Sequence, residues 1–93
     1  MNKKRTRLEV IRDILLVIKD RNGKIKPTHI LYKSNLSHQM MEEYLGELIQ
    51  KGFITEQTMK DGKSKTYAIT KKGMTYLEKY RSIIEFTESF GLG

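Results

Sequence analysis

The side chains with most to offer chemically are cations in clusters: Lys3, Lys4 and Arg5; Lys26 and Lys33; Lys60, Lys63 and Lys65. Such groups neutralise phosphate, and neutralising a duplex backbone releases its condensed counterions. Between the second and third clusters stands Ser37-His38-Gln39. A serine at a helix start suits a phosphate oxygen, and a glutamine amide can pair with the major-groove edge of adenine. This chemistry binds rather than catalyses. No nucleophile motif, glycine-rich phosphate loop or isolated carboxylate pair stands out. His29 and His38 have no thiolate or clustered carboxylate beside them, and the chain has no cysteine, which excludes disulfides and thiolate metal sites. Neither an enzyme, a metal nor a cofactor is expected.

Those residues need a frame, and residues 27–54 supply its centre. Thr28 reads as an N-cap, with Pro27 just outside the helix. Ile30 and Leu31 give this short helix its apolar side, and it ends near Ser34. Asn35-Leu36-Ser37 resets the chain: Ser37 caps a second helix and Leu36 can staple onto Met41. Met41, Tyr44, Leu45, Leu48 and Ile49 then fall on one stripe, and Gly52 closes the helix. A short helix, a tight turn and a longer helix is the helix-turn-helix pattern. The exposed face of the second helix offers Ser37, His38, Gln39, Glu42, Glu43, Gly46 and Glu47. Tyr32 and Tyr44 are expected in the core with their hydroxyls at its rim.

Around this centre, residues 1–6 read as a basic arm. Residues 7–19 carry interleaved apolar sets (Leu8, Ile11, Leu15, Ile18; Val10, Ile14, Val17), the mark of a helix in mid-core. Asp20-Arg21-Asn22-Gly23 stops it, and Lys24-Ile25-Lys26 could pair at a sheet edge. Residues 53–60 read as a strand, Asp61-Gly62 as a turn, and Lys65–Ile69 as the returning strand, with Tyr67 and Ile69 on one face and Thr66 and Ala68 on the other. A hairpin in that place is a wing. Thr70 caps a final helix reaching about Phe90, with Gly73 a weak spot near its start. Its later apolar turns extend beyond what a small domain can cover, so a second copy is the simplest cover. Leu77, Tyr80, Ile83, Ile84 and Phe90 are the expected dimer interface. The expected fold is α+β, mostly α with a β-hairpin: a winged helix-turn-helix over residues 1–70 and a dimerisation helix over 71–93.

The 93 residues make one domain with a modest core, 38% hydrophobic and 31% charged. A net charge of +7 costs self-repulsion, and anionic partners are the commonest reason to keep it. The excess lies in residues 1–33, with ten Lys/Arg against three Asp/Glu, whereas residues 34–52 hold one lysine against three glutamates. The longest apolar run, residues 14–18, is far too short to span a bilayer. A cytoplasmic, nucleoid-associated place is expected.

The runs Ile30-Leu31-Tyr32-Lys33-Ser34-Asn35-Leu36-Ser37, Tyr44-Leu45, Leu48-Ile49-Gln50-Lys51-Gly52-Phe53-Ile54 and Tyr67-Ala68-Ile69-Thr70-Lys71-Lys72-Gly73 resemble a family of small archaeal winged-helix proteins. The similarity spans most of residues 7–80. It implies a non-catalytic, double-stranded DNA binder, a transcription regulator or chromatin-type protein dimerising through a C-terminal coiled-coil helix. Glu42 and Glu43 stand where relatives often carry basic or neutral residues, and the last helix is shorter than in longer relatives. The competing expectation is a protein-interaction module whose acidic helix binds a protein partner.

Overall fold

Helix α1 (Arg7–Asp20) begins at a reciprocal cap: the Thr6 hydroxyl accepts from the Glu9 N–H while the Glu9 carboxylate accepts from the Thr6 N–H. It buries Val10, Ile11, Ile14, Leu15 and Ile18, drawn from both apolar sets, and packs against the second helix, the last helix and the hairpin. Leu8, at the rim, stays 55% exposed. The computed structural model describes residues 5–91.

Helix α2 (Pro27–Ser34) starts earlier than the sequence implies: Lys26 takes the N-cap and Pro27 is the first helical residue, with Thr28 inside. The fixed proline ring suits that position, where no intrahelical N–H is needed. The helix ends at Asn35, left-handed at φ 53°, whose N–H donates to the Tyr32 carbonyl while that of Leu36 donates to Leu31. Asparagine tolerates this conformation better than most side chains.

Helix α3 (His38–Gln50) is capped as expected, the Ser37 hydroxyl accepting from the Met40 N–H, and Leu36 and Met41 are both buried. It closes at Gly52 (φ +80°), with the Gly52 N–H on the Ile49 carbonyl and the Phe53 N–H on Leu48.

Strands β1 (Ile54–Thr58) and β2 (Lys65–Ile69) pair antiparallel with Ile54 opposite Ile69 and Thr58 opposite Lys65. The strand is shorter than residues 53–60 because Asp61 gathers the Lys63 N–H, the Ser64 N–H and the Ser64 hydroxyl into a wider loop. Ile25 does pair at the sheet edge: the Tyr67 N–H donates to Ile25, and the Gly23 N–H to Tyr67. Tyr67 joins the core, and Thr66 beside it is also buried.

Helix α4 (Lys71–Ser89) is locked to the end of α3. The Thr70 hydroxyl accepts from the Gly73 N–H and shares its proton between the carbonyls of Gly52 (2.6 Å) and Phe53 (2.9 Å). Gly73 is no mere weak spot: a Cβ there would lie 2.5 Å from the Phe53 oxygen and 2.6 Å from Ile69 Cγ1. Tyr76 and Leu77 pack on the core, whereas Ile83, Phe86 and Phe90 lie about two-thirds exposed beyond it.

Candidate nucleic-acid interface

Ser37, His38 and Gln39 are all exposed at the start of α3. Each base-reading candidate has an acidic neighbour one turn on. Gln39 Nε2 donates to Glu43 Oε1 at 3.2 Å, and His38 Nε2 lies 3.8 Å from Glu42 Oε1. Glu47 behaves differently from the solvated face expected of it. It is partly buried, gripped by Lys51 (3.0 Å) and Arg7, and these two, Lys51 first, hold its carboxyl below the ordinary range. That carboxylate ties α1 to α3.

The wing presents Lys60 and Lys63 to solvent, while Lys65 Nζ lies 3.5 Å from Glu56 Oε1. Glu56 also accepts from the Tyr67 hydroxyl at 3.1 Å; burial and then that carboxylate push the phenol up to about 12. The Ser64 hydroxyl and amide, then the Lys63 amide, pull the Asp61 carboxyl down to about 2. The negative charge at the wing tip is thus engaged by the loop itself.

Arg5 is fastened rather than waving from an arm. Its guanidinium pairs with Asp13 at 2.7 Å and donates to the Asn35 carbonyl at 3.1 Å, and Arg12 reaches the same Asp13 at 2.9 Å. Lys3 and Lys4 lie outside the described residues. The cations therefore divide. Arg5, Arg7, Arg12, Lys51, Lys65 and Arg81 pair with carboxylates. Among the described residues the other lysines and arginines form no ion pair, Lys26 and Lys33 at the ends of α2 and Lys60 and Lys63 on the wing among them.

Lys26 and Lys33 share a concavity with Arg21, Lys24, Thr28, His29 and Tyr32. Tyr32 is 77% exposed, not in the core as expected. Ile30 points inward, and a residue two further along a helix lies on nearly the opposite side. Tyr44 does sit at the rim, under the Arg7 guanidinium at 5.8 Å. Arg21 and Lys24 were legible only as neighbours of a turn at Asn22-Gly23, and their convergence with α2 needed the fold. On α4, Leu77 packs on the core and Tyr80 stacks on Tyr76 beneath Arg12 (5.1 Å). Ile83, Ile84 and Phe90 are exposed, together with Phe86, which the apolar stripes missed. Among the described residues, no helix is long and apolar enough to cross a membrane.

A helix-turn-helix on a central helix, followed at once by an antiparallel hairpin, defines a winged-helix protein. Residues 4–88 match the winged helix-turn-helix family, and the chain belongs to it. It is 34% identical over 80 residues to the protein MJ0290 of Methanocaldococcus jannaschii; the match takes in 86% of this chain but spans about a third (34%) of that relative's length. It is similar to Sso10a-2, a DNA-binding protein from Sulfolobus solfataricus, with 26% identity, a TM-score of 0.72, and coverage of 92% of this chain and 85% of that one. A MepR mutant of S. aureus bound to an oligodeoxyribonucleotide shares the fold at TM-score 0.76, with 16% identity and coverage of 87% and 60%. The likeness to small archaeal winged-helix proteins, read from motifs such as Asn35-Leu36-Ser37 and Thr70-Lys71-Lys72-Gly73, is borne out.

Proposed function

We propose that the protein binds double-stranded DNA without catalysing a reaction, as a dimeric regulator of transcription or a chromatin-associated protein of the nucleoid. The observation that carries this reading is the placement of exposed lysines at 26 and 33, at the two ends of α2, and at 60 and 63 on the wing, none of them held in an ion pair among the described residues. The similarity to a DNA-binding protein and to a regulator bound to an oligodeoxyribonucleotide supports it. Lys3, Lys4, Lys26, Lys33, Lys60 and Lys63 supply phosphate contacts in this reading, Arg5 and Lys65 join them on exchanging Asp13 and Glu56 for phosphate, and Ser37, His38 and Gln39 enter the major groove. Residues 1–70 bind, and residues 71–93 join two copies through Leu77, Tyr80, Ile83, Ile84 and Phe90. The paired α3 helices then stand about 34 Å apart or a multiple of it.

A salt titration with duplex DNA tests the reading. Six phosphate contacts lower affinity about a thousandfold between 50 and 200 mM salt. The second reading, a protein-interaction module, draws on Glu42 and Glu43, both exposed on α3. Absence of duplex affinity even at low salt would overturn DNA binding in its favour.

A further inference from the structure

We infer that Met59, at the tip of the wing, is a wedge that enters a duplex between neighbouring base pairs, so that the protein bends its DNA as well as holding it. The inference rests on the DNA reading above. It adds an activity, deformation of the duplex, and a residue to which that reading gives no part.

Between Thr55 and Lys65 every residue but Met59 is polar or glycine. The Met59 side chain is 44% exposed and belongs neither to the core nor to the partly buried shell packed against it. The fold therefore makes no use of the thioether. Leaving water is favourable for such a group wherever a dry surface is offered, and an opened base step is one.

The mount is rigid. The Met59 N–H donates to the Ser64 carbonyl at 2.7 Å, and the Met59 carbonyl accepts from the Gly62 N–H at 2.9 Å. Asp61 ties the rest of the loop through the Lys63 and Ser64 amides and the Ser64 hydroxyl. A side chain that pries bases apart must be held against the stack it opens, and this backbone has both its polar groups engaged.

Charge decides what the wedge meets. Met59 lines a concavity with Lys24, Lys26 and Lys60, which form no ion pair among the described residues. Asp61, the carboxylate of that lining, is engaged within the loop. An apolar protein surface would strand those ammonium groups. A duplex meets them with phosphate and meets the thioether with the faces of its bases. Insertion also brings a sequence preference that needs no base-edge contact, because TA and CA/TG steps unstack most readily.

The test compares Met59→Gln, of similar length but polar, with Met59→Leu, which keeps an apolar tip. The position lies outside the core, so both melting midpoints should match the parent. Duplexes containing a TA step carry a dye at each end and 2-aminopurine placed in turn along the site. The parent and Met59→Leu should draw the dyes together, through a bend of about 20–90°, and raise 2-aminopurine fluorescence at one step. Met59→Gln should keep the log–log salt slope, since no phosphate contact is lost, yet leave the duplex straight and the fluorescence low. Any preference of the parent for the TA duplex over an A-tract should shrink with it. A parent that binds without unstacking any step, or a Met59→Gln variant that bends DNA as the parent does, would overturn the wedge and leave the DNA reading standing. A salt slope that fell together with the bend would trace the loss to displaced lysines and overturn it too. A parent without affinity for any duplex would remove both readings.

Discussion

Gly73 sits where the first turn of α4 touches the Phe53 carbonyl, which accepts from Thr70, and nothing larger fits without movement of backbone. Gly73→Ala is therefore expected to cost about 1–3 kcal/mol in urea denaturation, the range for overpacking a tight contact. Gly46, on the exposed side of α3 with nothing within 4 Å of an added Cβ, should respond the other way. Gly46→Ala is expected to stabilise by about 0.5–1 kcal/mol through helix propensity. Asp61 gives a second check. Its folded carboxyl, about 2, lies below the ordinary 3.8, so the loop's bonds contribute fully above the ordinary value and are lost as pH falls through about 2. The amide resonances of Lys63 and Ser64 should titrate with that midpoint and stay unchanged above about pH 5. Ser37, Gly52 and Thr70 were readable in advance because capping is a local rule. Gly73, Arg5 and Tyr32 were not, because what decides their roles (Phe53, Asp13 with Asn35, the inward stripe of α2) comes from the packing of separate elements or from the exact phase of a short helix.

Among elements, hydrophobic period located α1 and α3, since each buries a stripe long enough to show it, whereas α4 packs only Tyr76 and Leu77 on the core and carries the rest of its apolar stripe into solvent. The ends moved where a side chain competes with the backbone: at Pro27, which opens α2, and at Asp61, which shortens β1. The candidate interface was legible as separate cationic clusters but not as a surface, because sequence order keeps Arg21 and Lys24 apart from Lys33 and Lys60. The wing's lysines are not equivalent in the folded chain. Lys60→Ala and Lys63→Ala should each reduce the magnitude of the log–log salt slope for duplex binding by about 0.9. Lys65→Ala should reduce it less, because Glu56 already occupies that ammonium. Equal effects of all three would show that DNA strips Lys65 from its partner.

For the molecule as a whole, the extents of 51 × 32 × 21 Å accompany a final helix whose last turns leave the core. Ile83→Glu with Phe86→Glu changes side chains 65% and 66% exposed in the protomer, so the fold should survive. Sedimentation is expected to show a dimer for the parent and a monomer for this variant; a monomeric parent would remove the α4 seam. The joint at Thr70 adds one consequence. Its hydroxyl, the Gly73 contact and the Lys72 ammonium on the Lys51 carbonyl (2.7 Å) fix the angle at which α4 departs from the end of α3. Two copies clasped by their tails would thus act as a stiff caliper, its jaws preset by three hydrogen-bonded residues rather than adjusted to each target.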